Sequence, residues 1–192
     1  MTRHWHSMTA RCTTRRPVAL SLTNATALLW RLDTLGCDTA TAGRSRRICG
    51  RTMPTGNASW SPTYHAAMTE LRSGQEALVE RRLEAMRETA ANGAEAAGLY
   101  RTVGIPIVEG FAAFHRGAYA EAVELLLPVR VDLWQIGGSH AQRDVVDWTL
   151  TAAAVRAGQR DVSLSLAHER LASRPRSVPN RRFLRYAEGI PG

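Results

Sequence analysis

The residues best placed to do chemistry are His140 and Asp144, which stand four positions apart within the stretch 137–150. On a helix this spacing puts both side chains on one face, where they could serve as a base with its orienting carboxylate or as two metal ligands. The same spacing is common on a polar helix face that is solvated or packed between helices. Because no cysteine or glutamate motif joins the pair, we favour the polar face and predict no catalytic residue, metal site or cofactor.

The polar face extends beyond this pair. Asp147 and Thr151 follow at helical spacing, and Arg143 lies at the border of the face. A row of charged groups on a helix can contact a partner protein. We therefore predict that the protein-binding candidates are His140, Arg143, Asp144 and Asp147.

The residues just before this row predict where its helix begins. Gly137 and Gly138 end the preceding element, because glycine accepts the positive φ that is common at helix C-termini. Ser139 and Gln142 have the spacing of a capping box, in which each side chain bonds to the other residue's backbone amide. This role accounts for Ser139 without a nucleophilic function, since a serine nucleophile would need a strained Gly-x-Ser-x-Gly turn.

Composition favours a single helical domain with an uneven charge distribution. The 192 residues suffice for one domain, only 6% are aromatic, and all 25 basic residues are arginine. Residues 1–63 hold nine arginines and two acids, whereas residues 64–192 hold sixteen arginines and fifteen acids. An arginine-rich arm can bind phosphates, but no recognition motif accompanies it, so we do not expect a nucleic-acid partner.

The cysteines and the apolar runs indicate the cellular compartment in which we expect the protein. Cys12, Cys37 and Cys49 fit neither a zinc site nor a disulfide framework, which favours free thiols in a reducing compartment. The N-terminus lacks the apolar segment of a secretory signal, and no apolar run reaches membrane-spanning length. We predict a cytoplasmic protein that does not engage a membrane.

Apolar periodicity divides the chain into two parts. In the first part, 1–63, it predicts one helix over 22–35, capped by Thr23 or Asn24; the rest is poorly ordered and rich in Arg and Thr. The apolar face predicted for this helix consists of Ala25, Leu28, Leu29, Leu32 and Leu35. In the second part, 64–192, the predicted helices span 65–72, 75–91, 106–116, 118–135, 139–157, 160–173 and 181–188.

Two local signals refine the helices of the second part. Ser73 and Glu76 have the spacing of a second capping box, which predicts the start of the helix over 75–91. Pro128 lies inside the helix over 118–135 and is predicted to kink or divide it, because proline lacks the amide hydrogen and clashes with the preceding turn.

A repeated turn gives the fold prediction. Gly74, Gly117 and Gly158 each end one helix and open the next, at separations of 43 and 41 residues that are typical of solenoids. From Gly117 the pattern continues with Tyr119, Ala122 and Leu126, the aromatic, small and large positions of a tetratricopeptide repeat. We predict an all-α fold, a right-handed antiparallel helix-pair solenoid of tetratricopeptide-like repeats, with the N-terminal third largely irregular.

Longer stretches carry a closer resemblance. They are Asn24-Ala-Thr-Ala-Leu-Leu-Trp-Arg-Leu-Asp, Gly104-Ile-Pro-Ile-Val-Glu-Gly, the run from Gly117 to Arg130, and Ile136-Gly-Gly-Ser-His-Ala-Gln-Arg-Asp-Val. Over roughly 22–38 and 64–174 the chain resembles the tetratricopeptide-repeat protein 38 family, as a partial or truncated member. The resemblance implies an all-α solenoid, usually much longer than this chain, and no established catalytic activity.

Family members usually have ordered helices where this chain has residues 1–20 and 39–63. Those stretches hold the three cysteines and abundant Arg, Thr and Ser. We hypothesise that they are partly out-of-frame translation or a degraded gene end. Reading the coding DNA in the other two frames tests the idea, and finding no helix-patterned peptide there would refute it.

These observations predict a helical-repeat scaffold that binds an unidentified protein or peptide and has no catalytic activity of its own. One alternative is an enzyme or metal-binding protein that uses His140 and Asp144, with His115 or His65. A second is a nucleic-acid binder that uses the arginine arm, and a third is a non-functional fragment of a longer solenoid. Five aromatic residues could also line a ligand pocket, although their helical spacing is more typical of core residues. They are Phe111, Phe114, Tyr119, Trp134 and Trp148.

Overall fold

A computed structural model describes residues 19–37, 60–93 and 95–191, and over these ranges the chain is helical with no strand. The all-α prediction is therefore confirmed for the described part. Most of the residues predicted to be irregular, in 1–20 and 39–63, lie outside it, as do Cys12 and Cys49. The helices are α1 (Ala19–Thr34), α2 (Trp60–Arg72), α3 (Glu76–Ala91), α4 (Ala97–Leu99, a π-helical turn Tyr100–Gly104, and Ile105–His115), α5 (Tyr119–Val129), α6 (His140–Arg156), α7 (Arg160–Ser173) and α8 (Val178–Glu188).

The helices from α2 to α8 pack in a regular order. Each contacts the next one along the chain, and the even-numbered helices α2, α4, α6 and α8 also contact one another in sequence. The even-numbered helices therefore form a row against which α3, α5 and α7 pack. Helix α1 departs from this order, because it contacts α2 and α6 although 25 residues separate it from α2 along the chain and many more from α6.

The three predicted glycine turns share one backbone geometry. Gly74, Gly117 and Gly158 have φ values of 67°, 82° and 69°, in the left-handed region that only glycine adopts readily. After each glycine, the next amide donates to the carbonyl five residues earlier, at 2.9, 2.9 and 3.1 Å. This bond belongs to the Schellman motif, which satisfies carbonyls at a helix C-terminus. The turns thus repeat in structure as well as in sequence.

One predicted cap is wrong. The N-cap of α3 is Gln75, which makes no side-chain capping bond. The Ser73 hydroxyl instead donates to the Thr69 carbonyl of the preceding helix at 2.8 Å. Ser73 therefore bonds to the C-terminal turn of α2. Because Gly74 follows it, α3 begins only after Gln75, and Ser73 does not cap that helix.

Pro128 divides its helix as predicted. The α-helical geometry of α5 ends at Val129, and residues Arg130–Ile136 continue as a 3₁₀ helix. The tighter 3₁₀ winding leaves Trp134 69% exposed and Val131 exposed, whereas Leu133 and Ile136 are buried. Trp134 is therefore not a core residue, although Phe111, Phe114 and Trp148 are.

Helices α4 and α5 approach each other closely at Gly110. A Cβ atom at Gly110 would lie 2.6 Å from two side-chain atoms of Leu126, which is fully buried. Glycine at this position lets the two backbones approach, and the surrounding core leaves Leu126 little room to move.

We therefore expect Gly110→Val to lower the free energy of unfolding by about 1–3 kcal/mol, since overpacking forces strained rotamers or backbone shifts. The matched control is Gly98→Ala, also in α4, where an added Cβ meets nothing within 4 Å. The control should be neutral or slightly stabilising, because alanine is the better helix former. Urea denaturation followed by circular dichroism measures both, and equal stability of the two variants would show that Gly110 is not a packing requirement.

Candidate functional site

The predicted start of α6 is confirmed in detail. Gly137 and Gly138 have positive φ values of 68° and 74°, and Ser139 is the N-cap. The Gln142 amide donates to the Ser139 hydroxyl at 3.3 Å, and the Ser139 amide donates to the Gln142 side-chain oxygen at 2.8 Å. Both bonds of the capping box are present, so the register of α6 and of its polar residues is fixed at this point.

The polar residues of α6 do not form one exposed face. His140 is exposed, Arg143, Asp144 and Asp147 are half-buried, and Thr151 is buried with its hydroxyl donating to the Asp147 carbonyl at 2.7 Å. Of the two polar faces considered from the sequence, solvated or packed between helices, the structure agrees better with the one packed between helices. Of the four protein-binding candidates, one is therefore exposed and three are half-buried.

Asp144 lies in a cluster of three arginines from two other helices and the turn after α7. Its carboxylate is 3.0 Å from Arg31 Nη2 of α1, 3.2 Å from Arg170 Nη1 of α7 and 3.2 Å from Arg174 Nη1. Arg31 also donates to the Ala141 carbonyl at 2.9 Å. One carboxylate thus ties α1 to α6 and α7. We call Asp144, Arg31, Arg170 and Arg174 the carboxylate–arginine cluster.

The cluster is supported by aromatic and amide groups beneath it. The guanidiniums of Arg31 and Arg170 lie 5.8 and 5.2 Å from the ring centre of Trp148. Arg170 Nε donates to Asn180 Oδ1 at 3.2 Å, and the buried Asn180 amide donates back to the Arg170 carbonyl at 3.0 Å. Arg170 is therefore held on three sides, which explains how its side chain can be only 8% exposed.

The charges of the cluster shift two pKa values. Burial by itself would raise the pKa of Asp144, but Arg170, Arg174 and Arg31 outweigh it, so the pKa lies below its usual value. Burial lowers the pKa of Arg31, and Asp144 opposes that change. Both shifts leave the groups charged at neutral pH, so the cluster is a permanent ionic contact there.

The other polar candidates have different partners. Asp147 Oδ1 accepts from Arg130 Nε at 3.1 Å, and Arg130 Nη2 donates to Glu169 at 2.5 Å. Arg143 donates to the carbonyls of Gly137 and Gly138 at 3.0 and 2.5 Å. His140 Nδ1 lies 3.4 Å from Arg143 Nη2. The His140 ring therefore contacts an arginine, whereas Asp144 is paired with other arginines.

Helix α1 lies across α2, α4 and α6 and is held by reciprocal hydrogen bonds. Trp30 Nε1 of α1 donates to Thr149 Oγ1 of α6 at 2.9 Å, and Trp148 Nε1 of α6 donates to Thr34 Oγ1 of α1 at 2.5 Å. Each indole thus finds its acceptor on the other helix. The Trp30 ring also packs on α4, with centroid distances of 5.4 Å to Phe111 and 6.0 Å to Phe114.

Further polar contacts hold the middle and the C-terminus of α1. Thr26 Oγ1 is 3.1 Å from Thr69 Oγ1 of α2, and Arg72 of the same helix donates to the Leu29 carbonyl at 3.2 Å. At the C-terminus of α1, Arg156 Nη2 donates to the Thr34 carbonyl at 2.9 Å, which suits the negative end of the helix dipole. We call the surface of α2, α4 and α6 that contacts α1 the α1-binding face.

The predicted inward face of α1 is only partly right: Leu35 packs against the core and Leu29 and Leu32 are half-buried, but other positions are the buried ones. Among residues 23–34 the buried ones are Thr23, Thr26, Ala27, Trp30 and Thr34, whereas Leu28 is 57% exposed and Ala25 is exposed. The helix also begins at Ala19, before either predicted cap residue. Periodicity selected the leucines because it ranks threonine as polar, but threonines whose hydroxyls are bonded across the interface can be buried.

The remaining histidines stand apart from the carboxylate–arginine cluster. His65 of α2 is fully buried, with its ring 4.4 Å from the ring of Tyr64. His115 lines a hollow of about 160 Å³ near the C-terminus of α1, together with Trp30, Asp33, Thr34, Arg72, Phe114, Tyr119 and Arg156. Within the described ranges, no group of three or more His, Cys, Asp or Glu side chains is arranged to hold a metal ion.

The sequence predicts that Trp30 packs against a neighbour, and the structure confirms it. It does not predict that Arg31 connects α1 to α6. A signal was present, since arginine and tryptophan beside each other on a helix with spaced threonines indicate a face that is both buried and hydrogen-bonded.

None of the helices in the described part of the chain has the length and apolar character needed to cross a membrane. No family model matches the chain, and no solved structure matches it either.

Proposed function

We propose that this protein is a helical-repeat scaffold whose α1-binding face holds a helical protein segment, and that α1 is the segment it holds in this chain. The observation that carries the proposal is the set of bonds from α1 to α2 and α6, with ring packing on α4. A helix that lies across several others through side-chain contacts resembles a helical ligand in a groove.

The arrangement of the other helices supports the same proposal. The row of even-numbered helices and the repeated glycine turns are what a solenoid of tetratricopeptide-like helix pairs would produce. We propose that fold for residues 60–191, and the resemblance to the tetratricopeptide-repeat protein 38 family stays a prediction. The proposed activity is binding, without catalysis.

The contacts of α1 define the segment that the face would accept. Its core is a tryptophan followed directly by an arginine, with small or hydroxyl-bearing residues one turn to either side. The tryptophan fills the space between Phe111 and Phe114, and the arginine reaches Asp144. Asp144 is therefore the predicted binding candidate with the most direct part in this proposal.

A peptide supplied from outside tests the proposal. In the Trp30→Ala chain, the contacts of its own α1 with the α1-binding face are weakened. A peptide of residues 19–36 should therefore bind this chain with a micromolar Kd and raise its thermal midpoint by mass action. The same peptide with Trp30→Ala should bind at least about tenfold more weakly, and the unaltered chain should also bind the peptide more weakly, because its face is filled. Equal binding of both peptides to both chains would refute the proposal.

A further inference from the structure

A second surface, at the end of the molecule formed by α7 and α8, is strongly basic. Residues 174–185 contain five arginines and no acid. Because residues 64–192 as a whole hold sixteen arginines against fifteen acids, the positive charge of this part is concentrated at one end. The arginines are Arg174, Arg176, Arg181, Arg182 and Arg185.

Most of this charge is exposed. Arg174, Arg176, Arg181 and Arg185 are exposed, and only Arg174 of these four is close to a carboxylate among the described residues, that of Asp144. Arg181 donates to the Pro175 carbonyl at 3.0 Å, which holds its guanidinium over the turn between α7 and α8. Counting Asp144, the carboxylate–arginine cluster beside this turn still carries a net charge of about +2.

An apolar hollow lies beside the exposed arginines. It measures about 280 Å³ and is lined by Val178, Arg181, Leu184 and Arg185. Val178 is 66% exposed. Arg181 and Arg185 are one helical turn apart, so their side chains leave α8 about 6 Å from each other on the same face. Together these four residues, with Arg176, form what we call the α8 surface.

We propose that the α8 surface binds an acidic amphipathic segment of a partner protein. Carboxylates one turn apart on such a segment match the spacing of Arg181 and Arg185, and guanidinium groups pair with carboxylates in a bidentate geometry. An apolar side chain between the carboxylates would enter the hollow beside Val178 and Leu184. The neighbouring cluster, where three guanidiniums surround the carboxylate of Asp144, is an internal example of the same recognition.

Other anionic partners fit the α8 surface less well. Single-stranded nucleic acid is bound by aromatic platforms, but the guanidinium of Arg182 covers Tyr186, at 5.2 Å from its ring centre, and Phe183 is buried. A membrane surface requires a broad apolar helix face, whereas Val178 and Tyr186 are the large apolar side chains that α8 exposes. This inference concerns a different surface from the α1-binding face and does not depend on the proposed function.

Fluorescence anisotropy with the full chain tests the inference. The probe is a fluorescein-labelled peptide in which Glu and Leu recur with helical spacing, and the control probe has Gln at every Glu. Arg181→Glu/Arg185→Glu should weaken binding of the Glu peptide at least about tenfold, with binding to the unaltered chain falling as salt rises from 50 to 300 mM. The matched control is Arg81→Glu/Arg160→Glu, which reverses the same number of exposed charges elsewhere and should stay within about twofold.

A second pair of substitutions distinguishes a loss of binding from a loss of the fold. The side chains of Arg176 and Arg185 are exposed and make no hydrogen bond or ion pair within the described residues, so Arg176→Glu/Arg185→Glu should preserve the fold and still weaken binding. The inference is overturned by equal losses in the α8 and control variants, by equal binding of the Gln peptide, or by no binding. It is also overturned if a 12-nucleotide RNA or vesicles containing phosphatidylserine bind more tightly and lose binding in the same variants.

Discussion

Replacing Trp30 by alanine is expected to lower the free energy of unfolding by about 3–5 kcal/mol. Trp30 is only 3% exposed and packs against Phe111 and Phe114, so alanine would leave a cavity at the junction of α1, α4 and α6. The substitution also removes the hydrogen bond from the indole to Thr149. Urea denaturation followed by far-ultraviolet circular dichroism measures the loss.

The matched control is Trp134→Ala, because Trp134 is 69% exposed on the 3₁₀ segment after α5. The same chemical change there should alter the free energy of unfolding by less than about 0.5 kcal/mol, as is usual for surface substitutions. If the two variants lose the same stability, α1 does not pack where the structure places it.

Removing the charge of Asp144 should have the second largest effect. Asp144→Asn leaves the half-buried Arg31 and the buried Arg170 without their carboxylate, and we expect a loss of about 2–4 kcal/mol at pH 7. The value is below that of a fully buried pair because Arg174 and the edge of the cluster are reached by water. Asp147→Asn, one turn later on α6, is the control and should cost about 1 kcal/mol or less, since Arg130 keeps Glu169 as a partner.

The contribution of Asp144 should depend on pH in one direction. Its pKa is lower in the folded chain than the ordinary value of 3.8, so the folded state binds its proton less readily than the unfolded state. The stabilisation is therefore complete above about pH 5 and is lost as the pH falls through the folded pKa. The difference in stability between the unaltered chain and Asp144→Asn should shrink over that range, and a difference that grows on acidification would contradict the cluster.

The sequence predicted the parts of the fold that local rules determine. The Ser139–Gln142 capping box and the turns at Gly117 and Gly158 depend only on neighbouring residues, and the structure confirms them. The Ser73–Glu76 cap had the same spacing but fails, because the Ser73 hydroxyl binds the carbonyl of Thr69 instead. A spacing rule cannot distinguish these cases without the position of the preceding helix.

The site was less predictable because its bonds join distant residues. Arg31 reaches Asp144 across 113 positions, and Trp30 reaches Thr149 across 119. Viewed alone, α1 has a leucine stripe that looks like its buried face. Thr26 and Thr34 are buried instead, because their hydroxyls are bonded to Thr69 of α2 and to the Trp148 indole of α6. Similarly, Asp144 looked like a solvated charge or a catalytic carboxylate until three arginines from other parts of the chain were placed around it.

Cleavage of the connection between α1 and α2 would show whether α1 is a segment held on the face of α2, α4 and α6. A protease site inserted within residues 38–59 is cut in the folded chain, and size-exclusion chromatography with intact mass shows which pieces remain together. The prediction is that the piece containing α1 stays bound, and that an excess of the peptide 19–36 replaces it while the rest stays helical. It is contradicted if that piece leaves without a competitor while the remainder stays folded, or if no exchange occurs over days.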